Sequence, residues 1–480
     1  MFTVSDVVAM ERISFSDFLD AHPGEPAGGL LQAFLDAIAS CPRSRTRLSA
    51  GAKFYTQAFA TVDLGGYVFV VDMPIRLHGL HGMVLTSGLI EPSPRFPEGE
   101  YLLDVRDVNT LKIENIGLEC RKRANGIFAH RFLRLRIEDC TIVHQRDYGI
   151  YANEKGYNHE LEVVKCNIVE YLWGDGTGAE HRGEIPNFRE ATNRTSTGIF
   201  LGQADNVVSD CNINLCRVGI EVGMRANRIQ GNHITAGGTV ENALFDGILL
   251  NAHIKSSCLI VNNYIDNCRL VIRVDDKAVN RRNYVTITDN LFYRGYNHPK
   301  EGPAFSHIQI QALKPKSILQ NIIISDNQFY TQDEHLGEAV ERVIRPVAVE
   351  ACWEPTSESL IPLDPVKIRG AIMRNNVFTN APPYFEVPMG TNATMTLLPP
   401  KKATDRYEAD FSGHLAWGDI QTVSVTMISS NPEFVGVPFV TTFNGKTVMI
   451  RTATPVIAGF HVTADVNNSY AARWRGIKVN

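Results

Sequence analysis

One sequence position recurs along the middle of this chain, and in all but the first occurrence it holds cysteine or asparagine. The residues at this position are Ile116, Cys140, Cys166, Cys211, Asn232, Asn263, Asn290, Asn327 and Asn376. Each lies two residues before an apolar leucine, isoleucine or phenylalanine, and most follow a stretch of alternating apolar and polar residues. Such a fixed place in successive repeats is typical of a solenoid, in which each repeat packs on its neighbours. We call it the interior slot.

The spacing between occurrences varies, although the apolar segments keep the same length. The shortest spacing is 21 residues, from Cys211 to Asn232. The longest is 49 residues, from Asn327 to Asn376. Helical repeats hold a fixed period, whereas a coil of short parallel strands tolerates insertions at its turns. The pattern predicts an all-β fold, a right-handed parallel β-helix in which slot asparagines hydrogen-bond one another and buried cysteines fill the same place.

Three segments are predicted along the chain. Residues 1–105 form an N-terminal cap and the first strands, because the apolar residues of segment 30–38 fall at helical spacing and such a helix would cap the open end of the coil. Residues 106–395 form the parallel β-helix, with about nine coils before residue 380. Residues 396–480 contain separate alternating strands with turn signals between them, which predicts a small antiparallel β-sandwich.

The composition narrows the classes of function. Hydrophobic residues make up 44% of the chain, which is typical of a protein with a sizeable core. The formal net charge is -5 and the sequence pI is about 6.3, so the chain lacks the basic surface of a nucleic-acid-binding or membrane-binding protein. We therefore expect neither nucleic acid nor a membrane as a partner.

The cysteines and the first residues bear on where the protein works. The nine cysteines are odd in number, so they cannot all pair, and we expect reduced core residues of a protein that folds in a cytoplasm. The segment Met1–Asp6 lacks the positive and apolar regions of a signal peptide, and no run approaches the ~18 apolar residues of a membrane span. If the protein works outside a cell, we expect release by cell lysis, for example by a virus.

Two further segments connect the chain with a known superfamily. The predicted helix is followed by Leu48-Ser-Ala-Gly-Ala-Lys-Phe-Tyr55, and separate strands follow Pro399-Pro400. The first segment is similar to the entry of capping helix, strand, glycine turn and aromatic residue in the pectate-lyase-like β-helix superfamily. The whole pattern resembles the bacteriophage tailspike depolymerases within it. The resemblance implies carbohydrate chemistry, a homotrimer and a place on a virion, although lyases, hydrolases and fructan transferases share the fold.

The recurring Gly-Ile strands place two lanes of side chains on one outward face, because the residues on either side of an inward isoleucine point out. The first predicted lane is Phe128, Tyr151, Phe200, Glu221, Leu249, Arg273, Gln309 and Ala348. The second is His130, Asn153, Gly202, Gly223, Asn251, Asp275, Gln311 and Glu350. Aromatic rings stack on sugars and polar side chains hydrogen-bond hydroxyl groups, so this face suits an extended glycan. The alternative is an ordinary solvated sheet face.

Candidate site residues follow from this face. The predicted substrate-binding residues are Tyr151, Phe200, Asn251, Arg273, His253, Gln309 and Trp173, the last in the long insertion 171–197. Glycoside hydrolysis needs two carboxyl groups, about 5 to 5.5 Å apart for retention and about 6.5 to 9.5 Å for inversion. Glu221 and Asp275 project from coils two apart, which separates their backbones by roughly 10 Å along the axis. Their side chains would therefore have to lean together, and Asp246 is the third candidate carboxylate.

The sequence favours an endo-acting enzyme that hydrolyses a bacterial surface polysaccharide, but other functions stay open. A polysaccharide lyase would need a cation and a base for β-elimination at a uronic acid, for which Arg273, Lys277, His253 and Tyr293 are the candidates. A fructan transferase and a non-catalytic glycan-binding spike are further alternatives. No His and Cys spacing typical of a metal site occurs, so we expect no metal and no cofactor.

Overall fold

The computed structural model describes the chain in separate ranges. These are residues 12–14, 27–40, 44–47, 53–56, 61–153, 155–156, 158–170, 196–235, 245–251, 257–274, 285–294, 306–312, 318–320, 322–331, 345–351, 367–369, 372–380, 385–386, 392–412, 415, 419–428 and 437–466. Within them the chain forms one α-helix, Ala27–Ser40, and otherwise strands. None of the described helical structure is long and apolar enough to cross a membrane.

Most strands pair in parallel with the strands one coil before and one coil after, which gives three ladders along a right-handed β-helix. The first ladder consists of Ile75–His78, Tyr101–Asn109, Asn125–Glu138, Tyr148–Ala152, Thr197–Leu201, Val218–Val222, Asp246–Leu250, Arg269–Val274, Ser306–Ala312 and Arg345–Ala351. The predicted β-helix is thus confirmed, because every connection between neighbouring coils is parallel.

The other two ladders share some long strands with each other and with the first. The second ladder consists of Arg12–Ser14, Thr61–Asp63, Val84–Pro92, Lys112–Glu119, Asn125–Glu138, His159–Val164, Val207–Ser209, Asn227–Gln230, Cys258–Val261, Val285–Thr288, Ile322–Ser325 and Ile372–Arg374. The third ladder consists of Val68–Val71, Val84–Pro92, Lys112–Glu119, Thr141–Val143, Asn167–Val169, Asn212–Asn214, His233–Thr235, Tyr264–Asp266, Leu291–Arg294, Gln328–Thr331 and Val377–Asn380, with the antiparallel strand Phe385–Glu386 beyond it. Parallel coils therefore start earlier than the predicted residue 106.

The interior slot lies between the second and third ladders and is buried in every coil. Asn263 Oδ1 accepts hydrogen bonds from the backbone nitrogen and from Nδ2 of Asn232, at 3.1 and 2.9 Å. The same pair of bonds repeats from each slot asparagine to the next as far as Asn376. The seven described cysteines are buried and free, including the three in the slot. The predictions of stacked asparagines and reduced core cysteines are confirmed; Cys41 and Cys352 lie outside the described residues.

The N-terminal helix caps the first coil as predicted. Leu31, Phe34, Leu35 and Ile38 face the core and are at most 2% exposed. The amide of Gln32 accepts from the backbone nitrogen of Arg76 at 2.7 Å and donates to its carbonyl oxygen at 3.3 Å. Because Arg76 lies in the first strand of its ladder, these bonds satisfy backbone groups that would otherwise have no strand partner. Two antiparallel strands, Ser44–Arg47 and Lys53–Thr56, follow the helix.

Each coil enters the first ladder through a glycine where neighbouring backbones come close. A Cβ at Gly149 would lie 2.6 Å from the carbonyl oxygen of Gly198, and one at Gly198 would lie 2.6 Å from that of Gly219. Any larger residue would push the coils apart at this corner. The glycine therefore fixes where each strand of the first ladder begins.

The long insertion leaves the coil at Glu170 and rejoins it at Ser196. Glu170 is 1% exposed and accepts hydrogen bonds from Lys122 Nζ at 2.7 Å and from Ser196 Oγ at 2.5 Å. Burial lowers the pKa of Lys122, although the charge of Glu170 acts in the opposite direction. These bonds hold the two ends of the insertion together.

Two three-stranded antiparallel sheets follow the coil. One contains Asn392–Leu397, Thr422–Ile428 and Gly459–Asp465; the other contains Thr404–Asp410, Phe439–Asn444 and Thr447–Val456. Their buried side chains, including Phe411, Ile450 and Phe460, form a core of their own. The strand Asn392–Leu397 pairs with Gly459–Asp465, so the antiparallel region begins before the predicted residue 396. A parallel pair, Ile318–Gln320 and Lys367–Arg369, stands apart from the three ladders.

Candidate functional site on the first ladder

The register of the first ladder fixes which outward side chains are neighbours. The observed first lane is Asp104, Phe128, Tyr151, Phe200, Glu221, Leu249, Val271, Gln309 and Ala348. The second lane is Arg106, His130, Asn153, Gly202, Gly223, Asn251, Arg273, Gln311 and Glu350. Both lanes follow the prediction as far as the strand Asp246–Leu250.

Beyond that strand the predicted register is wrong by two residues. Val271 occupies the place in the first lane that was predicted for Arg273, and Arg273 lies in the second lane beside Gln311. An irregularity in the pairing of Asp246–Leu250 with the next coil causes the shift. Leu270 and Ile272 are both buried, so the alternation of apolar residues fits either register.

The start of the first lane is an aromatic row made of Phe128, Tyr151 and Phe200. The rings of Phe128 and Tyr151 are nearly parallel at a centroid distance of 6.0 Å, and those of Tyr151 and Phe200 at 4.8 Å. Tyr148 packs edge-on against Tyr151 at 4.7 Å, and the guanidinium of Arg106 lies 5.0 Å from the Phe128 centroid. Offset and edge contacts of this kind hold each ring in one orientation, so the row is preorganised.

Glu221 follows Phe200 in the same lane, at the end of the aromatic row. Its Oε1 accepts a hydrogen bond of 2.5 Å from Nδ2 of Asn251, and the side chain is half-buried. Beside it the second lane has Gly202 and Gly223, which lack side chains, and the tip of the Phe200 ring lies over Gly223. The two glycines therefore leave a recess next to the carboxylate, wide enough to be lined by an aromatic ring on one side and an amide on the other.

The tyrosines around this recess are held in their neutral form. Burial raises the pKa of Tyr148, and the charges of Glu221 and Asp147 raise it further. Burial also raises the pKa of Tyr101, whose ring lies 5.3 Å from that of Phe128. Neutral phenols can donate hydrogen bonds to sugar oxygens at ordinary pH.

The other predicted carboxylates have different positions. Asp246 Oδ1 accepts a hydrogen bond from Nε of Arg269 at 2.6 Å, and the two side chains are only 12% and 13% exposed. Asp246 thus lies in a nearly buried ion pair at the start of its strand. Asp275 lies outside the described residues, as do the predicted ligands His253 and Trp173.

The remaining predicted ligands are spread along the ladder. Gln309 is 4% exposed in the first lane, and its Oε1 accepts a hydrogen bond from Gln311 at 2.9 Å. Arg273 is half-buried in the second lane, between Asn251 and Gln311. Tyr293, a candidate base for β-elimination, lies on the third ladder and stacks on Tyr330. The first ladder therefore brings Tyr151, Phe200, Glu221 and Asn251 together and leaves Tyr293 on another face.

Tyr101 and Tyr148 are site residues that the sequence reasoning missed. Tyr148 directly precedes Gly149, and Asn125 lies one residue before Gly126. Register pairs Tyr101 with Asn125, so the position before each glycine forms a third outward lane. That lane could have been found by reading the residue before each glycine as well as those after it.

The described residues contain no group of three or more His, Cys, Asp or Glu side chains arranged to hold a metal ion. The chemistry available in the recess is therefore that of a carboxylate, an amide and phenol hydroxyl groups. A carboxylate with one oxygen free can accept a proton from water or a hydroxyl group, and aromatic rings can hold a sugar against it.

Comparison with known proteins places this geometry in context. No known protein family matches the chain. Polygalacturonase QRT3 of Arabidopsis thaliana is similar in sequence, with 25% identity over 222 residues. The similarity covers 44% of this chain and 43% of the plant protein, so the chain spans less than half the length of that relative.

Three solved structures are similar in shape. The tailspike protein of E. coli bacteriophage HK620, solved as a double mutant, has a TM-score of 0.46 at 12% identity, covering 96% of this chain and 94% of the tailspike. The tailspike of Pseudomonas phage phi297 has a TM-score of 0.38 at 10% identity, covering 80% and 67%. The endo-xylogalacturonan hydrolase from Aspergillus tubingensis has a TM-score of 0.39 at 10% identity, covering 74% and 93%.

Proposed function

We propose that this right-handed β-helix protein, which has the fold of the pectate-lyase-like superfamily, degrades polysaccharide as a glycoside hydrolase. The observation that carries the proposal is the position of Glu221 at the end of the aromatic row, with Asn251 bonded to one of its oxygens. The sequence similarity to a polygalacturonase supports hydrolysis of a glycan, although it covers less than half of either chain.

The recess fits the base of an inverting hydrolysis. Asn251 occupies Oε1 of Glu221 and leaves Oε2 for a water molecule that would attack the sugar. Phe200 and Tyr151 would hold the sugar rings, and the neutral hydroxyl of Tyr148 would donate a hydrogen bond to a sugar oxygen. The second carboxyl group of an inverting enzyme must lie about 6.5 to 9.5 Å away, and Asp275 stays the predicted general acid.

The finer parts of the proposal concern the substrate and the assembly. We infer an endo-acting enzyme, because lanes that run along the coil axis suit a long chain held on both sides of the cleaved bond. A bacterial surface polysaccharide is the proposed substrate, a homotrimer the proposed assembly, and a virion the proposed location. Multivalent engagement of a repeating glycan would raise avidity without new contacts.

The test is Glu221→Gln, measured as turnover of a panel of bacterial exopolysaccharides and polygalacturonate. Loss of a catalytic base is expected to lower kcat by about 10²- to 10⁴-fold while polymer binding persists. Glu160→Gln is the matched control, because Glu160 is an exposed carboxylate on the second ladder that pairs with Arg134. Near-normal kcat for Glu221→Gln would move the chemistry away from this recess.

A uronate lyase is the second candidate, because the relative in sequence acts on a polygalacturonate by its name. The product distinguishes the two reactions. An unsaturated uronate absorbs in the ultraviolet, whereas hydrolysis yields a new reducing end without that absorbance. Binding without either product would favour the glycan-binding spike, and a mass measurement showing only a 53.3 kDa monomer would contradict the trimer.

A further inference from the structure

A second group of aromatic side chains lies on the outward side of the third ladder. The aromatic strip, as we call it, consists of His233, Tyr264, Tyr293 and Tyr330, one from each of four successive coils. The rings of His233 and Tyr264 are parallel within 5° at 4.7 Å, and those of Tyr293 and Tyr330 within 5° at 5.4 Å. Tyr264 meets Tyr293 edge-on at 6.2 Å, so the rings form one connected row.

The aromatic strip is partly open to solvent and is rigid. His233 is exposed and the three tyrosines are half-buried, so each ring still presents an edge and a polar atom outward. Two further apolar side chains of the same lane, Leu291 and Val377, are 36% and 38% exposed. Parallel ring pairs at these distances hold each other in place, so little side-chain freedom is left to lose when a ligand binds.

The charge on this face is low. In the two lanes from Asn212 to Val377, Asp266 is the one formally charged residue among the described side chains. Hydrogen-bonding groups nevertheless accompany the rings in each coil. They are Asn212, Asn214, Thr235, Asp266 and Gln328.

The second ladder is different in character. There Lys112, Arg136, Glu138 and Glu162 form ion pairs with one another across neighbouring coils. Those charges are satisfied within the chain and suit a solvated face. The aromatic strip has no such network, and its mixture of rings and uncharged polar groups matches the surface of a sugar chain, which has apolar C–H faces and hydroxyl edges.

We propose that the aromatic strip is a secondary binding site for an uncharged segment of polysaccharide, separate from the recess at Glu221. The proposal rests on the proposed function only in taking the ligand to be a polysaccharide. Coils repeat every ~4.8 Å along the axis, so a chain lying along the strip meets a tyrosine and a hydrogen-bonding side chain in each coil. One polymer bound at both faces would remain near the recess between cleavage events, because the second contact is intramolecular.

The test separates polymer binding from chemistry. Tyr264→Ala and Tyr330→Ala, singly and together, are compared with Tyr67→Ala, a matched control that removes an exposed tyrosine of the first coil (43% exposed). Affinity electrophoresis with neutral and anionic bacterial exopolysaccharides, with dextran and polygalacturonate as reference polymers, gives the dissociation constants. Each strip variant is expected to raise the dissociation constant for a neutral polymer by about 3- to 10-fold. The kcat on short oligosaccharides should not change.

Several results would overturn the proposal. Unchanged affinity of the double variant for every polymer would do so, as would retention of the wild-type protein by anionic polymers alone or by none. A loss of native mass on sedimentation with unchanged affinity would assign the aromatic strip to a second copy of the chain. Tyr264→Leu and Tyr330→Leu keep the apolar volume and serve if the alanine variants do not fold.

Failure here and failure of the proposed function give different results. Glu221→Gln should lower kcat and leave polymer affinity intact, whereas the strip variants should do the reverse. Binding to the panel is measured without turnover, so the test stands even where no polymer is cleaved.

Discussion

The two halves of the interior slot solve one structural problem with different chemistry. In the later coils Asn290 Nδ2 donates to the carbonyl oxygens of Ile260 and Thr288 at 3.1 and 2.9 Å. In the earlier coils Cys166 Sγ contacts the equivalent carbonyl oxygens of Ile137 and Val164 at 3.6 and 3.4 Å. The cysteine half thus makes the same contacts more weakly and relies more on filling the space. The coil tolerates either solution because its backbone geometry is the same in both.

The largest expected effect is in the asparagine half. Asn290→Ala removes the acceptor for the backbone nitrogen and Nδ2 of Asn263 and leaves two buried carbonyl groups without its donor. Each buried group left unsatisfied costs about 1 to 3 kcal/mol, so we expect a loss of about 3 kcal/mol or more in the free energy of unfolding, measured in urea. Thr141→Ala, an exposed change on the third ladder, should stay within about 0.5 kcal/mol of the wild type.

The matched change in the cysteine half should cost less. Cys166→Ala removes one sulfur atom from a buried position and long, weak contacts. We expect a loss of about 1 to 2 kcal/mol in the same urea measurement. A loss as large as that of Asn290→Ala would show that the thiols hydrogen-bond as strongly as the amides, and the contrast between the halves would fail.

Alkaline pH should act on the cysteine half selectively. The pKa of the Cys166 thiol is raised: its bond with Cys140 lowers it, but its bond with Cys211 and its burial raise it more. An unfolded thiol titrates near pH 8.5, so stability is complete below that pH and falls as pH rises above it, by about 1 kcal/mol per buried thiol over the first unit. Unfolding midpoints between pH 7 and 10 should fall less steeply for Cys166→Ala than for the wild type. Equal slopes would contradict the thiol assignment.

The smallest effect is expected at the junction of the two halves. Cys211 already donates its backbone nitrogen to Asn232 Oδ1 at 2.9 Å and accepts from the backbone nitrogen of Cys166 at 3.4 Å. Cys211→Asn would extend the ladder of amides by one coil. We expect an unfolding free energy within about 1 kcal/mol of the wild type. A loss above about 2 kcal/mol would show that this coil lacks the room or the register for an amide.

The fold was predictable because the interior slot is a one-residue signal that recurs in register. The first coils were missed because they carry neither cysteine nor asparagine in the slot, as at Gly88, which pairs with Ile116. The position of Arg273 was missed because alternation repeats every two residues and cannot detect a two-residue shift. Asp246 looked like a free carboxylate because its partner, Arg269, is a coil away in sequence.

The candidate site was predictable in part, and the limit is again physical. Glu221, Tyr151 and Phe200 follow from their parity relative to inward isoleucines. The contact between Asn251 and Glu221 depends on side-chain torsions and on the absence of side chains at Gly202 and Gly223, which no periodic pattern encodes. Tyr148 reaches the aromatic row by folding its ring back over three residues of its own strand.

The bonded ends of the long insertion make it exchangeable. Ser196 bonds to Glu170, and Lys122 from an earlier coil anchors the same carboxylate, so the loop closes on a fixed base whatever its length. Doubling the length of a flexible loop costs only about 0.6 kcal/mol in closure entropy. Foreign sequences could therefore be grafted between these two residues while the coil keeps its register, which would make this place a socket for transplanting loops from one glycan-binding scaffold to another.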